Sequence, residues 1–279
     1  MRLATWNVLH GRSHDDGRVD LDRFGTAVGE LDVDVLALQE VDRAQPRSHG
    51  HDLTTRAAAA LGAQDHRFVP TMIGEPGAWT PAAPPTTADT GWVCGTQPLA
   101  PPVDPDAPAY GVALLSRHPV TAWRVLRLPP SRVVLPLLLG RPPRPVLVPD
   151  EPRVALAARV RAPEGTVTVV TTHLSFAPGW NLVQLRRVVA ALADDDALVL
   201  LGDLNAGGWL VRAASGLTAL AVESTFPTWS PVLQLDHALG RGVVGSDARV
   251  HRLPVSDHCA LTVSVRAVAA TTSRAGGAS

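Results

Sequence analysis

The chain has 279 residues, 46% hydrophobic and 18% charged, with a formal net charge of -1. That composition supplies a sizeable buried core and excludes a disordered chain, while the balanced charge excludes a global basic field for gripping nucleic acid, so any attraction of anions must be local. All 25 basic residues are arginine; codon bias accounts for that count, and arginine forks also suit phosphate oxygens.

"RLATWN" alternates and ends in polar residues, which predicts a first strand from Arg2 to Asn7. Asp20 reads as a helix N-cap, with Leu21, Phe24, Val28 and Leu31 at helical spacing behind it, and "VDVLALQE" then reads as a buried strand closing on Glu40. A second helix is expected across Asp52 to Leu61. From Met72 to Ala109 proline, threonine and glycine break every pattern, which predicts a long functional or mobile loop. "YGVALLS" (Tyr110 to Ser116) returns to strand character. The prolines of "SRVVLPLLLGRPPRPVLVP" (Ser131 to Pro149) forbid a central strand or helix, so an apolar edge segment and surface loop are expected there. "RVALAARV" and "TVTVVTTHL" read as a hairpin around Glu164 and Gly165. Leu182, Leu185, Val188, Val189 and Leu192 mark a third helix, and "LQLDHAL" and "CALTVSV" read as the last strands. The tail from Ala267 has the composition of a disordered end. No repeat or linker divides the chain, so one domain over 1–266 and a tail over 267–279 are expected, with a mixed-sheet α/β architecture.

Two cysteines, Cys94 and Cys259, make no disulfide framework, and "MRLATWNVLHGR" lacks the apolar core of a signal peptide. With no run of membrane-spanning length, the sequence reads as a soluble cytoplasmic protein in which nothing asks for an obligate protein partner.

Polar residues gather where the apolar strands end: Asn7, Glu40, His173, Asp203, Asn205, Asp236, Asp257 and His258. Any one of them has an ordinary explanation as a cap or turn residue, but a packed sheet has no need to end strand after strand in carboxylate, amide or imidazole. A shared rim of strand ends would collect them all. In "LLGDLNA", side-chain alternation predicts that Asp203 and Asn205 point to one side. Glu40 and Asp257 are hard oxygen ligands, suited to Mg2+ or Mn2+. Carboxylates, imidazoles and carboxamides around such an ion fit attack of water on a phosphorus ester, with Asp203 as base, Asn7 and Asn205 holding phosphate and water, and Asp236 fixing the tautomer of His258. His237, beside Asp236, reads as pointing the other way and structural. Arg153, in "EPR", is either a substrate-phosphate contact or an ordinary surface arginine.

"TWN", "LQEVD", "YGVALLSRHPV", "TTHLSF", "LLGDLNA", "LDHAL" and "VSDHCAL" come in the order of the endonuclease/exonuclease/phosphatase superfamily, which the chain resembles from Leu3 to about Val265. The resemblance implies a DNase I-like, four-layer α/β/β/α sandwich of two mixed β-sheets with a divalent metal in a cleft at one edge. It makes Glu40 the principal metal ligand with Asn7 and Asp257 near it, Asp203 and Asn205 the pair that orients or activates water, His258 the phosphate-facing histidine and Asp236 its partner. His173 is similar to the branch of DNase I, sphingomyelinases and inositol phosphatases, and argues against an abasic-site endonuclease. Val112 stands where many relatives carry asparagine, so a contact near the cleft is expected to be missing. The implied activity is metal-dependent phosphoester hydrolysis, on nucleic acid, nucleotide, phospholipid head group or small phosphoester; the alternative is a non-catalytic binding or scaffold protein that keeps the fold.

Overall fold

A computed structural model describes residues 1–84, 88–95, 97, 104, 106–139 and 144–268. The chain runs β1 (Arg2–Asn7), α1 (Leu21–Leu31), β2 (Val35–Arg43), α2 (Leu53–Leu61), β3 (Asp65–Ile73), β4 (Ala109–Ser116), β5 (Val120–Leu128), β6 (Val134–Leu139) and β7 (Arg144–Pro149). Then follow β8 (Arg153–Ala162), β9 (Gly165–His173), α3 (Trp180–Ala191), β10 (Leu198–Asp203), α4 (Gly208–Ser215), β11 (Asp236–Arg241), β12 (Val243–His251) and β13 (Ala260–Ala267).

Local chemistry sets the helices where the sequence predicts them. The Asp20 carboxylate accepts from the backbone N–H of Asp22 and Arg23, and Asp52 does the same for Thr54 and Thr55, so both leading ends are capped. Gly62 closes α2 in the left-handed region. Phe24, Val28, Leu31, Leu53, Ala57 and Leu61 form the buried stripe of this pair against Trp6, Leu36 and Leu38 on one sheet. Leu185, Val188 and Val211 of α3 and α4 pack against Leu198, Leu200 and Leu239 on the other.

The first sheet has the order β12-β13-β1-β2-β4-β3 and the second the order β11-β10-β9-β8-β5, and each holds one parallel pair, β1 with β2 and β9 with β10. Their facing sides bury Leu3, Val35, Leu114, Val125, Leu156, Val169 and Leu201, each worth about 1.5–3 kcal/mol when withdrawn from water. Helices outside, two mixed sheets inside: the layers are those of the DNase I-like sandwich.

Several elements differ from expectation. β3, β5, β12 and α4 are additional. The Met72 to Ala109 stretch is not wholly irregular: Met72 and Ile73 finish β3, and two-residue strands at Thr80–Pro81, Ala88–Asp89 and Val93–Cys94 extend the sheet edges; 85–87, 96, 98–103 and 105 lie outside the described residues. The edge segment expected in Ser131 to Pro149 is a separate two-stranded ladder of β6 and β7, where Pro136, Pro145 and Pro149 are tolerated because each strand has a free edge; 140–143 lie outside the described residues. The tail begins later than Ala267, which pairs with Val243, and 269–279 lie outside the described residues. Val112 is buried between the sheets, opposite an irregularity in β2.

Candidate active site

Pairing register brings the polar strand ends together. His173, Asp203 and Asp236 are consecutive partners across β9, β10 and β11, so their side chains form one row on one face of the second sheet. That row needs the strands close: a Cβ at Gly202 would lie 1.9 Å from the Thr172 carbonyl oxygen, which explains the glycine before Asp203. In the first sheet Asn7 and Gln39 are partners across β1 and β2. Since β13 runs antiparallel to β1, the "SDH" turn before it arrives at the same edge, where Ser256 Oγ donates to the Asn7 carbonyl and accepts from the His258 N–H.

Glu40 reaches the site through a bulge. Alternation would send it outward with Leu36 and Leu38, toward the helices. Between Leu38 and Val41 β2 carries one extra residue relative to β4, Glu40 adopts φ 56°, and Val41 resumes the outward face. Gln39 and Glu40 thus both face inward: Gln39 Nε2 donates to Thr171 Oγ1 of the second sheet, and Glu40 Oε1 accepts from Asn7 Nδ2 at 3.0 Å. Holding a non-glycine residue in the left-handed region costs about 1–3 kcal/mol, which the pairing on either side of the bulge must offset.

The same Asn7 amide donates to Asp203 Oδ2 at 3.1 Å, so one side chain joins carboxylates from both sheets. Asp203 Oδ2 also lies 3.6 Å from His173 Nε2 and 3.7 Å from His258 Nε2. His258 Nδ1 is 2.8 Å from Asp236 Oδ2, which also accepts from Thr225 Oγ1. Asn205 Nδ2 donates to the Leu174 carbonyl and lies 3.2 Å from His173 Nε2. Asn205 therefore does converge with Asp203, but not by strand alternation: β10 has ended, and a turn at φ 49° with the Asn205 N–H on Asp203 Oδ1 brings it round. His237 points to the opposite face and contacts the Ala206 carbonyl, as expected.

Burial and charge tune these groups. Burial pushes Glu40 up, Asp257 and Asp203 reinforce it, and the value reaches about 7 against the pull of the Asn7 bond. Asp203 is raised by burial in the same way. Burial pulls His258 down, but Asp236, Asp203 and Asp257 outweigh it and lift it to about 10. His173 is held well below the ordinary histidine value by burial and by the charges of Arg153 and His258, so its ring is neutral. Arg153 is no surface arginine: only 5% exposed, it lies within 3.8 Å of both Asp150 and Glu151. Asp257 is half-buried, its carbonyl accepting from the Thr228 N–H. Among the described residues Asp203, Asp236 and His258 present ligand atoms within 4.8 Å of one another.

Thr225, Gln39 and Tyr110 escaped the sequence reading. Tyr110 is buried within electrostatic reach of Glu40, Glu151 and Arg153, and Thr225 holds Asp236. Thr225 lies in an irregular stretch with no periodicity to flag it; Gln39 was visible as an amide in an otherwise apolar run.

A four-layer sandwich whose parallel strands end in this acid, amide and imidazole cluster defines the DNase I-like class. The chain belongs to the Endonuclease/Exonuclease/phosphatase family, whose model matches residues 4–258 and whose members generally hydrolyse phosphoester bonds. An endonuclease/exonuclease/phosphatase from Beutenbergia cavernae DSM 12333 is similar in structure, with TM-score 0.64 and 22% identity over 96% of this chain and 72% of that one. A mannosyl-6-phosphatase from Bacteroides thetaiotaomicron VPI-5482 superposes with TM-score 0.54 at 14% identity, covering 95% of this chain and 99% of that one. A humanized D. rerio TDP2 gives TM-score 0.54 at 13% identity over 95% and 98% of the two chains. No curated protein matches the sequence significantly.

Proposed function

We propose that the protein is a divalent-metal-dependent phosphodiesterase that hydrolyses its substrate by in-line attack of water. The observation that carries this reading is the convergence of Asn7, His173 and His258 on the Asp203 carboxylate, within 3.7 Å. A scaffold protein would have no use for a buried carboxylate shared by two imidazoles.

Asp203 takes a proton from the attacking water, and Asn205 and Asn7 orient water and phosphate around it. His258, kept protonated by Asp236, aims Nε2 at the same point and donates to a phosphate oxygen as negative charge develops there. Neutral His173 supplies a hydrogen bond without repelling His258, while Arg153, paired with Asp150 and Glu151, adds positive field behind it.

The donor set fits a hard cation on the Glu40 and Asp257 side. Glu40 is a half-buried carboxylate beside two others, with only the Asn7 amide donating to it among the described residues, and oxygen donors of this kind suit Mg2+ or Mn2+. The tighter group of Asp203, Asp236 and His258 fits less well, because Asp236 is already committed to His258 and Thr225. When bound, the cation polarises the phosphoryl oxygen and offsets its charge.

A second observation bears on the substrate. Val133, Val134, Val146 and Leu147 of the separate hairpin are 43 to 71% exposed. Its base is clipped to the site wall, since Asp150 Oδ2 accepts from both the Ser131 N–H and Ser175 Oγ, two residues beyond His173. An apolar lip beside the cleft favours a phospholipid head group over long duplex nucleic acid, since a net charge of -1 gives no general basic field for gripping a duplex.

The test is hydrolysis of bis-p-nitrophenyl phosphate beside the corresponding monoester, with Mg2+, Mn2+ or EDTA. Diester cleavage that needs metal and disappears in Glu40→Ala is expected; metal-independent cleavage, or none by a folded and metal-loaded protein, overturns the reading.

A further inference from the structure

A cavity of about 420 Å³ opens between the loops that follow β1 and β2, the two strands that deliver Asn7 and Glu40. His10, Arg12, Arg18, Arg47 and His49 line it, and no carboxylate does. The Asn7 Oδ1 that accepts from the Leu9 N–H starts the turn that carries His10 into place at φ 47°. Arg12 pairs with Val19 across the next loop, whose neck is closed by the Ser13 N–H on the Arg18 carbonyl, and His49 Nε2 meets the Val19 carbonyl from the other side. The walls are therefore built by backbone pairing, not left by loosely placed side chains.

The acids nearby are already engaged, one of them with a cavity arginine. Asp16 binds Arg23 at 2.7 Å, Asp20 caps α1, and Asp42, buried behind Arg47, accepts from its Nε and Nη2. Arg12 donates Nε to the Gly17 carbonyl, and Arg18 is exposed, with no side-chain hydrogen bond among the described residues. Burial, then the charges of Arg47 and Arg12, push His10 down to about 3, so it is a neutral hydrogen-bonding ring inside a positive field. Arg47 lies close enough to Glu40 for the two charges to influence one another, which sets the cavity beside the cleft.

We propose that this cavity binds a second phosphate group of the substrate, so that the protein acts on phosphoesters carrying a further phosphate. The guanidinium forks of Arg12 and Arg18 with the neutral His10 ring form a donor set for phosphate oxygens, with Arg47 behind them already paired to Asp42, and a chain with net charge -1 keeps its anion recognition local here. The proposal rests on the reading that the neighbouring cleft cleaves a phosphoester, and its test separates the two.

Inorganic phosphate is titrated calorimetrically in EDTA, so that no cation contributes. Arg12→Ala/Arg18→Ala is expected to weaken binding by about tenfold or more, as loss of charged hydrogen bonds would, whereas His258→Ala in the cleft leaves the cavity's affinity unchanged. Arg12→Lys/Arg18→Lys, which keeps the charge and the loops, is expected to bind between the two. Phosphate binding that ignores the double alanine variant, or that His258→Ala abolishes, overturns the proposal. Turnover then distinguishes free phosphate from phosphate on the substrate, by comparing p-nitrophenyl esters of thymidine 5′-phosphate with and without a 3′-phosphate. The expected result is a kcat/KM ratio favouring the doubly phosphorylated ester by about tenfold, collapsing toward unity in the double alanine variant. Equal turnover of both esters by the native chain overturns the substrate claim. If neither ester is cleaved, the reading of the cleft fails, and the titration still decides the cavity.

Discussion

At the scale of single residues, the site places opposing demands on its carboxylates. Burial raises Asp203, so ionising it in the fold costs stability; the cost grows as pH rises from the ordinary carboxylate range through the raised value and is present in full above it. Asp203→Asn keeps the shape and removes that cost. We expect its kcat for diester cleavage to fall roughly 10²- to 10⁴-fold, the worth of a general base, while its melting temperature at pH 8 stays level or rises. Near-native turnover would remove Asp203 from the chemistry, and a large drop in melting temperature would make its role structural. Glu40 yields a different test. Held at about 7, it keeps its proton below neutrality, and a cation must displace that proton to bind. Apparent Mn2+ affinity should therefore climb as pH rises toward about 7 and level off above it, by calorimetry in buffers of different ionisation enthalpy; a pH-independent affinity would exclude Glu40 as the ligand. The residue types at both positions were legible because each interrupts an apolar run. The positive φ at Glu40 and Asn205 was not, since neither is a glycine and nothing local demands the conformation.

At the scale of elements, legibility followed how much each segment depends on its own chemistry. The helices α1 and α2 carry caps and apolar stripes, and the sequence predicts both. β12 was missed because most of its side chains are exposed and a bulge near Asp247 breaks its ladder, so no apolar alternation records it. β3 contains Pro70, which reads as a breaker but sits at an irregularity in its pairing with β4. The β6–β7 hairpin shows the limit from the other side: its prolines predict an edge segment, but not that Val134 and Leu147 stand 50% and 71% exposed. A lipid surface would reward that exposure. Val134→Asp/Leu147→Asp should abolish co-sedimentation with phospholipid vesicles and activity on vesicle-borne diesters, while hydrolysis of bis-p-nitrophenyl phosphate persists. Unchanged sedimentation would detach the hairpin from substrate recruitment.

At the scale of the whole molecule, the site is a seam. Asn7 and Glu40 belong to one sheet, Asp203 and Asp236 to the other, and the Asn7 amide is the direct link between Glu40 and Asp203. No sequence pattern shows that two sheets will pack face to face with these strand ends at one rim; only the shared order of strand-end motifs, read as a resemblance, carried that information. The seam has a thermodynamic consequence: Glu40 and Asp257 come from the first sheet, but the amide that holds Glu40 also holds Asp203 of the second, so a cation bound there is coupled to the packing of both. Ligand linkage then predicts stabilisation of the entire sandwich by about 2.7 kcal/mol at a hundredfold excess over Kd. For a chain of this size that corresponds to a melting temperature raised by about 5 °C. Scanning calorimetry with and without Mn2+ should show one transition moving upward as a unit in the native chain and staying fixed in Glu40→Ala. An equal rise in both proteins would locate the cation away from Glu40, and a transition that splits, with one half unmoved, would mean that the two sheets do not share it.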